Sequence, residues 1–518
     1  MQRLQLLTLI LSCVLSAVLK SEPVMAEQNR RPNILFIYAD DQSTRTVGCY
    51  PQSWPWVRTP HIDGLAKTGV RFSHCYLGSW CMPSRATLLT GHLPHAIESM
   101  SMQGTYPGSS YDSAQCPFWP KIFREQGYQT AQIGKWHTGT DTGFGRDWDY
   151  QAVWNRPQHP EDAGNYYRDQ IVTINGVEQR VPGYPTDNYT NWACDYIRGA
   201  HRTADKPWYL WLCYGAVHGP STPAPRHAGT FADQPVDVPV DLFGPRPGKP
   251  AYLDRSQAWI RGDDGEIYPG KGGESSRPKP GQKRPTTYAE WVRQVNECVL
   301  SLDEGVGEVL KALRESGQLE NTLVVYSADQ GFAMGEHGFR AKVAPYDANY
   351  SSPLIVSQPG KIPQGKVSPV AVGGADLVQT FFAQAGISLP WTMHGRDLSS
   401  VLSNPETPDD TTVLLYEHMG QAYGSETATV PADDTLYHNN VPRWIAVRRG
   451  AIKYIRTLLL DEMEEIYDLN ADPNELTNLA LQPDHAELLQ DLRQAAIREL
   501  QRTGARFVDQ MPRTLQMR

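Results

Sequence analysis

The chain has 518 residues, 40% of them hydrophobic and 20% charged, which is enough to bury a large core and points to one large domain with a smaller one beside it. Its net charge of -9 argues against a general nucleic-acid binder, because phosphate binding needs a basic surface. An anionic substrate would need a local basic pocket on this acidic body.

Arg3 opens a mostly apolar run from Leu6 to Leu19, and Val24-Met25-Ala26 places small residues at a cleavage site. Residues 1–26 therefore read as a secretory signal peptide, and the mature protein as periplasmic or secreted. The apolar run is shorter than a bilayer span needs, so no stable membrane insertion is expected. Ile10-Leu11-Ser12-Cys13 hints at a lipoprotein box, but the apolar run continues past Cys13. Export permits disulfides. Apart from Cys13 and Cys81, the cysteines at 49, 75, 116, 194, 213 and 298 are scattered, and buried thiols and bridges stand as equal readings.

The mature chain alternates strand-like and helix-like segments. This pattern predicts an α/β fold with a large mixed, mostly parallel sheet flanked by helices. Strands are predicted at Asn33 to Ala39, Tyr128 to Ile133, Trp208 to Tyr214, Thr322 to Ser327 and Pro353 to Val356. Residues 219–286, rich in Pro, Gly and charge, read as a long irregular insertion. From Tyr288 to Glu315 the apolar residues Val292, Val295, Val299, Leu302, Val306, Val309 and Leu313 recur at helical spacing, with Gly317 where a helix end is expected. Asp376 to Ala385 is a second helix, stopped at Gly386. Beyond Trp391, Trp444 to Val447 and Ile452 to Arg456 look like antiparallel strands, and the last turns look helical. The expected organisation is a catalytic domain over 27–390 and a smaller C-terminal α+β subdomain, with an antiparallel sheet, over 391–518.

In open α/β sheets ligands bind beyond the carboxyl ends of the strands. Here those ends carry Asp40-Asp41, then Lys135 and His137, then His218, then Asp329-Gln330. Convergence would join three carboxylates and an amide to cationic and imidazole groups. Carboxylates so placed repel unless a hard cation, Ca²⁺ or Mg²⁺, neutralises them. Taken alone, Asp40 and Asp41 read equally well as turn and helix-cap residues.

Pro83 suits the first turn of a helix, so Cys81 is expected just before a helix N-terminus, which favours a bound anion. Arg85 lies one turn on. An ordinary buried cysteine before a helix fits the physics as well. The segment from Cys81 to Gly91, with Pro83, Ser84 and Arg85 followed by Leu89-Thr90-Gly91, resembles the signature of the formylglycine-dependent sulfatases of the alkaline-phosphatase-like superfamily. Asn33 to Asp41, Thr59-Pro60-His61-Ile62-Asp63, Gly134-Lys135-Trp136-His137, Asp329-Gln330-Gly331, Gly335-Glu336-His337-Gly338, Glu465 to Leu469 and Asp472-Pro473 extend the resemblance over most of residues 32–480.

The resemblance implies that Cys81 is oxidised to formylglycine by a formylglycine-generating enzyme. It implies a Ca²⁺ or Mg²⁺ ion held by Asp40, Asp41, Asp329, Gln330 and the modified Cys81. Gln330 stands where many members carry Asn or His. Basic active-site roles fall on Arg85, Lys135, His137, His218 and Lys342, although Val217 precedes His218 where proline is commoner. In the implied chemistry a hydroxyl of the hydrated aldehyde attacks sulfur, Arg85, Lys135 and Lys342 stabilise the sulfuryl oxygens, His218 with Lys342 protonates the leaving alcohol, and His137 takes the proton that frees sulfate. His61, His74, His92 and His95 are read as structural, and His337 as lining the site. The expected substrate is a sulfated glycan, with aryl sulfates as surrogates. Rival readings are a phosphonate or phosphate ester hydrolase with the same nucleophile, and a non-catalytic carbohydrate-binding protein with unmodified Cys81.

Overall fold

The apolar runs become the strands of two sheets. In the computed structural model, which describes residues 31–98, 100–103, 108–110, 112, 114–270, 287–430 and 440–515, the strands of these sheets are β1 (Asn33–Ala39), β2 (Val70–Tyr76), β3 (Gln129–Lys135), β4 (Tyr150–Trp154), β5 (Gln170–Ile174), β6 (Val177–Val181), β7 (Trp208–Cys213), β8 (Thr322–Ala328), β9 (Leu354–Ser357), β10 (Lys366–Gly373), β11 (Val413–His418), β12 (Trp444–Arg449), β13 (Ile452–Thr457) and β14 (Glu464–Asp468). The helices of eight or more residues are α1 (Pro60–Lys67), α2 (Cys81–Thr90), α3 (Pro185–Ile197), α4 (Tyr288–Glu315), α5 (Gly374–Ala385) and α6 (Ala486–Arg502). Residues 1–26, expected to be a signal peptide, and residues 271–286 of the insertion lie outside the described residues.

The first ten strands form one sheet in the order β10-β2-β9-β8-β1-β7-β3-β4-β5-β6. Its centre, β8-β1-β7-β3-β4, is parallel throughout, whereas β9 and β5 run against it. Strands β1, β7 and β8 are buried at every residue, as expected for strands covered on both faces, which read as continuous apolar runs. Successive side chains of β1 go to opposite faces. Leu35, Ile37 and Ala39 join the core built with α1, α3 and α4, while Ile34, Phe36 and Tyr38 join the core built with α2 and α5. Strands β11 to β14 form a separate antiparallel sheet in chain order.

Helix α4 has the predicted limits because both are chemically marked. Thr287 accepts from Glu290 N at 3.2 Å and Glu290 accepts from Thr287 N at 3.1 Å, a reciprocal cap that satisfies two otherwise orphaned amides. At the other end Gly317 takes a left-handed conformation, φ 66°. The insertion is less irregular than expected: it contains the one-turn helix Tyr252–Arg255 and a strand pair, Trp259–Arg261 with Ile267–Pro269. Cysteines 49, 75, 81, 116, 194, 213 and 298 are free thiols, so among the described residues no bridge forms. No described helix is long and apolar enough to cross a membrane.

Candidate active site

Parallel pairing of β1 with β8 sets Ala39 opposite Ala328, so the strands deliver Asp40-Asp41 and Asp329-Gln330 to the same point. Lys135 is the last residue of β3, and His137 follows on the turn. Gly134 permits this approach: a Cβ there would lie 1.9 Å from the carbonyl oxygen of Cys213 on β7. Beyond β7 the chain returns to the site, where Asp40 N donates to Ala216 O at 2.9 Å and Val217 N donates to Asp40 O at 2.8 Å, fixing the loop that carries His218. Asp41 (φ 57°) and His137 (φ 69°) hold left-handed backbone conformations, a strain that surrounding structure must sustain and that clusters at functional sites.

Cys81 is the first residue of α2, not the one before it, and Pro83 still lies in the first turn. Its Sγ is 3.3 Å from Asp40 Oδ1 and 3.1 Å from Lys342 Nζ. Lys342 Nζ also donates to Asp41 Oδ1 at 2.6 Å. Lys135 pairs with Asp40, and the Gln330 amide donates to Asp41. Asp329 Oδ1 accepts from Asp41 N at 2.9 Å and from Gln330 N at 3.1 Å, while its Oδ2 faces Arg85 at 3.5 Å. Arg85 is anchored by donation to Lys135 O at 2.9 Å. His218 places Nε2 3.5 Å from Asp41 Oδ2. Nine of the ten predicted site residues are thus joined beyond the carboxyl ends of the central strands, and the tenth, His137, is buried beside them. Ligand atoms of Asp40, Asp41, Cys81 and His218 lie within 4.8 Å of one another. That tight set takes in His218 and leaves Asp329 one step outside, with Oδ1 engaged by backbone amides.

Burial and mutual repulsion dominate the electrostatics. Burial would raise the Asp40 carboxyl, but Lys135, His218, Arg85 and Lys342 more than offset it and hold it well below the carboxylate range. Asp41 is pushed up by burial and by Asp40, against the pull of Lys342. Asp329 is pushed up to about 7 by burial and by Asp40, against Arg85. Burial, with Asp329 and Asp40, pushes the Cys81 thiol up to about 12, so this cysteine is a poor thiolate nucleophile as it stands. Burial, then Arg156, holds His137 neutral, and burial, then Lys342, holds His218 neutral.

Two residues escaped the sequence reading. Arg156, beyond the end of β4, is buried and its charge is the strongest electrostatic influence on His137. Tyr166 stacks on His218, ring centroids 4.0 Å apart. The strand-end rule that located Lys135 would have found Arg156 had Tyr150–Trp154 been recognised as a strand. His337 pairs with Asp241 of the insertion at 2.7 Å, while His61 N bonds Asp303, His74 bonds Asp347, His92 bonds Thr392 O and His95 bonds Glu417.

Residues 32–387 match the family profile described as Sulfatase. The chain belongs to the sulfatase family. Residues 335–503 also match the profile of an N-sulphoglucosamine sulphohydrolase C-terminal region. The sulfatase is 28% identical to an N-acetylglucosamine-6-O-sulfatase of Bacteroides thetaiotaomicron, over 94% of this chain and 88% of that protein. It is 26% identical to the N-acetylglucosamine-6-sulfatase of Homo sapiens, over 88% of this chain and 82% of that protein. A solved structure of a protein bound to its substrate D-glucosamine-2-N,6-O-disulfate superposes with a TM-score of 0.74 at 26% identity, covering 92% of this chain and 98% of that one.

Family membership implies a metal and a formylglycine made from Cys81. The donor set fits a hard divalent cation. Three carboxylates meet in a buried site, two of them pushed upward, and Gln330 Oε1 is buried without a hydrogen-bond partner. A half-turn of that amide exchanges its nitrogen for an oxygen ligand at Asp41.

Proposed function

We propose that this sulfatase removes sulfate from a sulfated carbohydrate, with O-sulfated glucosamine units as the first candidates. The reading is carried by one observation: Cys81 contacts Asp40 and Lys342, and Lys342 contacts Asp41, among the buried cations Arg85 and Lys135. The glucosamine-sulfate activities named for the relatives support the sugar class. Asp40, Asp41, Asp329 and Gln330 would hold Ca²⁺, with Mg²⁺ the alternative, beside the modified Cys81. When present, cation and aldehyde hydrate together supply an ionised hydroxyl for attack on sulfur.

The chain's own groups do the rest. Arg85, Lys135 and Lys342 hold the sulfuryl oxygens from a low-dielectric wall, where fixed cations stabilise developing charge most strongly. His218 Nδ1 donates to Gly219 O at 2.8 Å, so Nε2 is the proton-transfer atom: the neutral ring takes up a proton from water there as the anionic ester binds, and passes it to the leaving alcohol oxygen. His137, kept neutral by burial and by Arg156, accepts the proton released as sulfate departs. The apolar segment after Arg3 supports export to the periplasm or outside the cell, after modification by a formylglycine-generating enzyme.

The test is sulfate release from O-sulfated sugars and an aryl sulfate by protein co-produced with that enzyme. Aldehyde at Cys81 is verified by peptide mass, and Cys81→Ala serves as control. Release that disappears in the control establishes the reaction. An aldehyde-bearing protein that cleaves matched phosphonate or phosphate esters but no sulfate ester would overturn it.

A further inference from the structure

The proton-transfer role assigned to His218 needs its ring at one angle, and an imidazole on a loop has two rotatable bonds. The neighbours of that ring are unusually constrained. Tyr166 lies face to face with it, 4.0 Å between centroids and 5° between planes. Tyr166 is itself clamped. Trp154 meets its ring edge-on at 4.7 Å and 78°, and Trp154 is held in turn by donating to Asp162 at 3.2 Å. The guanidinium of Arg156 sits 4.9 Å from the Tyr166 ring centroid and the Lys135 ammonium 5.3 Å from it. Arg156 is tied down by donating from Nε to Ala163 O at 2.7 Å. The glycine at 215 gives the ring its room: a Cβ there would lie 3.2 Å from Tyr166 Cδ1. Next in the chain, Tyr167 donates its O–H to the carbonyl of His218 at 2.5 Å.

We propose that Tyr166 and Tyr167 are positioning residues for His218, the ring of one setting the plane of the imidazole and the hydroxyl of the other fixing its backbone, so that Nε2 stays aimed at the leaving-group oxygen. Stacking on a ring pinned by two cations and an indole edge restricts the imidazole torsion without competing for either ring nitrogen. Nδ1 remains bonded to Gly219 O, and Nε2, 3.5 Å from Asp41 Oδ2, faces into the site. The inference rests on the sulfatase reading above and deepens it by naming what gives the leaving-group step its geometry.

The discriminating measurement is leaving-group dependence. A nitrophenol departs without a proton, whereas a sugar hydroxyl needs one. Tyr166→Ala is expected to lower kcat on a sugar sulfate by about 10²-fold, the usual worth of a placed acid–base group, and on nitrophenyl sulfate at least about tenfold less. Tyr166→Phe restores the sugar reaction, because the ring is retained. Gly215→Ala, which crowds the ring without removing it, produces the same selectivity in milder form and serves if Tyr166→Ala does not fold. Equal losses on both esters would overturn the proposal. A separate arm needs no turnover: the His218 ring protons, shifted upfield by the stacked tyrosine, move downfield in Tyr166→Ala and stay in Tyr166→Phe. Resonances that do not move sink the proposal whatever the kinetics. If aldehyde-bearing enzyme releases no sulfate from any sugar ester while the resonances move as expected, the carbohydrate sulfatase reading fails and the positioning contact stands.

Discussion

Asp329 offers a test in which stability and activity respond in opposite directions. Its carboxyl is pushed up to about 7, chiefly by burial and then by Asp40, so ionising it in the folded state is unfavourable. Relative to an ordinary carboxyl near 4, the penalty is on the order of 4 kcal/mol once the pH exceeds 7, and about 1–2 kcal/mol at pH 5. The sign follows from the upward displacement: the contribution is intact below about pH 4 and is lost as the pH rises through about 7. Asp329→Asn removes the charge and keeps the Oδ1 that accepts from Asp41 N and Gln330 N. Arg85 loses one partner but keeps Asp40, 3.9 Å away. With unfolding entropy near 2.1 cal/mol/K per residue, a chain of 518 residues carries about 1 kcal/mol/K, so 4 kcal/mol becomes about 4 °C. In chelator at pH 8 the variant should therefore melt about 4 °C above the native protein, with a gap of only about 1–2 °C at pH 5. Adding Ca²⁺ should reverse the order, because the carboxylate then gains a counter-charge, while sulfate release by the variant collapses. Differential scanning fluorimetry across pH, with and without Ca²⁺, reads all of this. A gap of the opposite sign at pH 8 in chelator, or one unchanged between pH 5 and 8, refutes the reasoning.

Lys342→Met should lower kcat about 10²–10³-fold with little change in KM, as for loss of one fixed donor to developing charge; a loss confined to KM would remove Lys342 from the chemistry. At Gly134, Ala should fail to give folded protein, since the added Cβ meets the Cys213 carbonyl oxygen, and a soluble, active Gly134→Ala protein would contradict the described β3–β7 contact. Gly64→Ala in α1, where nothing lies within 4 Å of the added carbon, should leave stability equal or raise it by about 0.5–1 kcal/mol in thermal unfolding.

The sequence alone determined much of the α/β layout, because doubly buried strands and a capped amphipathic helix carry their periodicity in local chemistry. Strand β1 and helix α4 have the predicted limits, and α5 begins two residues early at Gly374 and stops before the predicted Gly386. It also singled out candidate site residues that the fold brings together, Asp40, Asp41, Lys135, His218, Asp329 and Gln330 as polar groups just past apolar strands, Cys81 and Arg85 from their distinctive segment, and Lys342 from the family resemblance. Short strands such as β4 and β5 were not legible, because five residues carry little periodicity of their own and their place in the sheet is set by pairing with their neighbours. For the same reason the surroundings of His218 could not be read. Trp154 and Arg156 at the end of β4, Tyr166 ten residues on and Gly215 beyond β7 lie apart in the chain, and only folding presses them together around His218. Which carboxylate is lowered and which are raised was likewise a tertiary decision, because it depends on which cation each oxygen meets after water has been excluded.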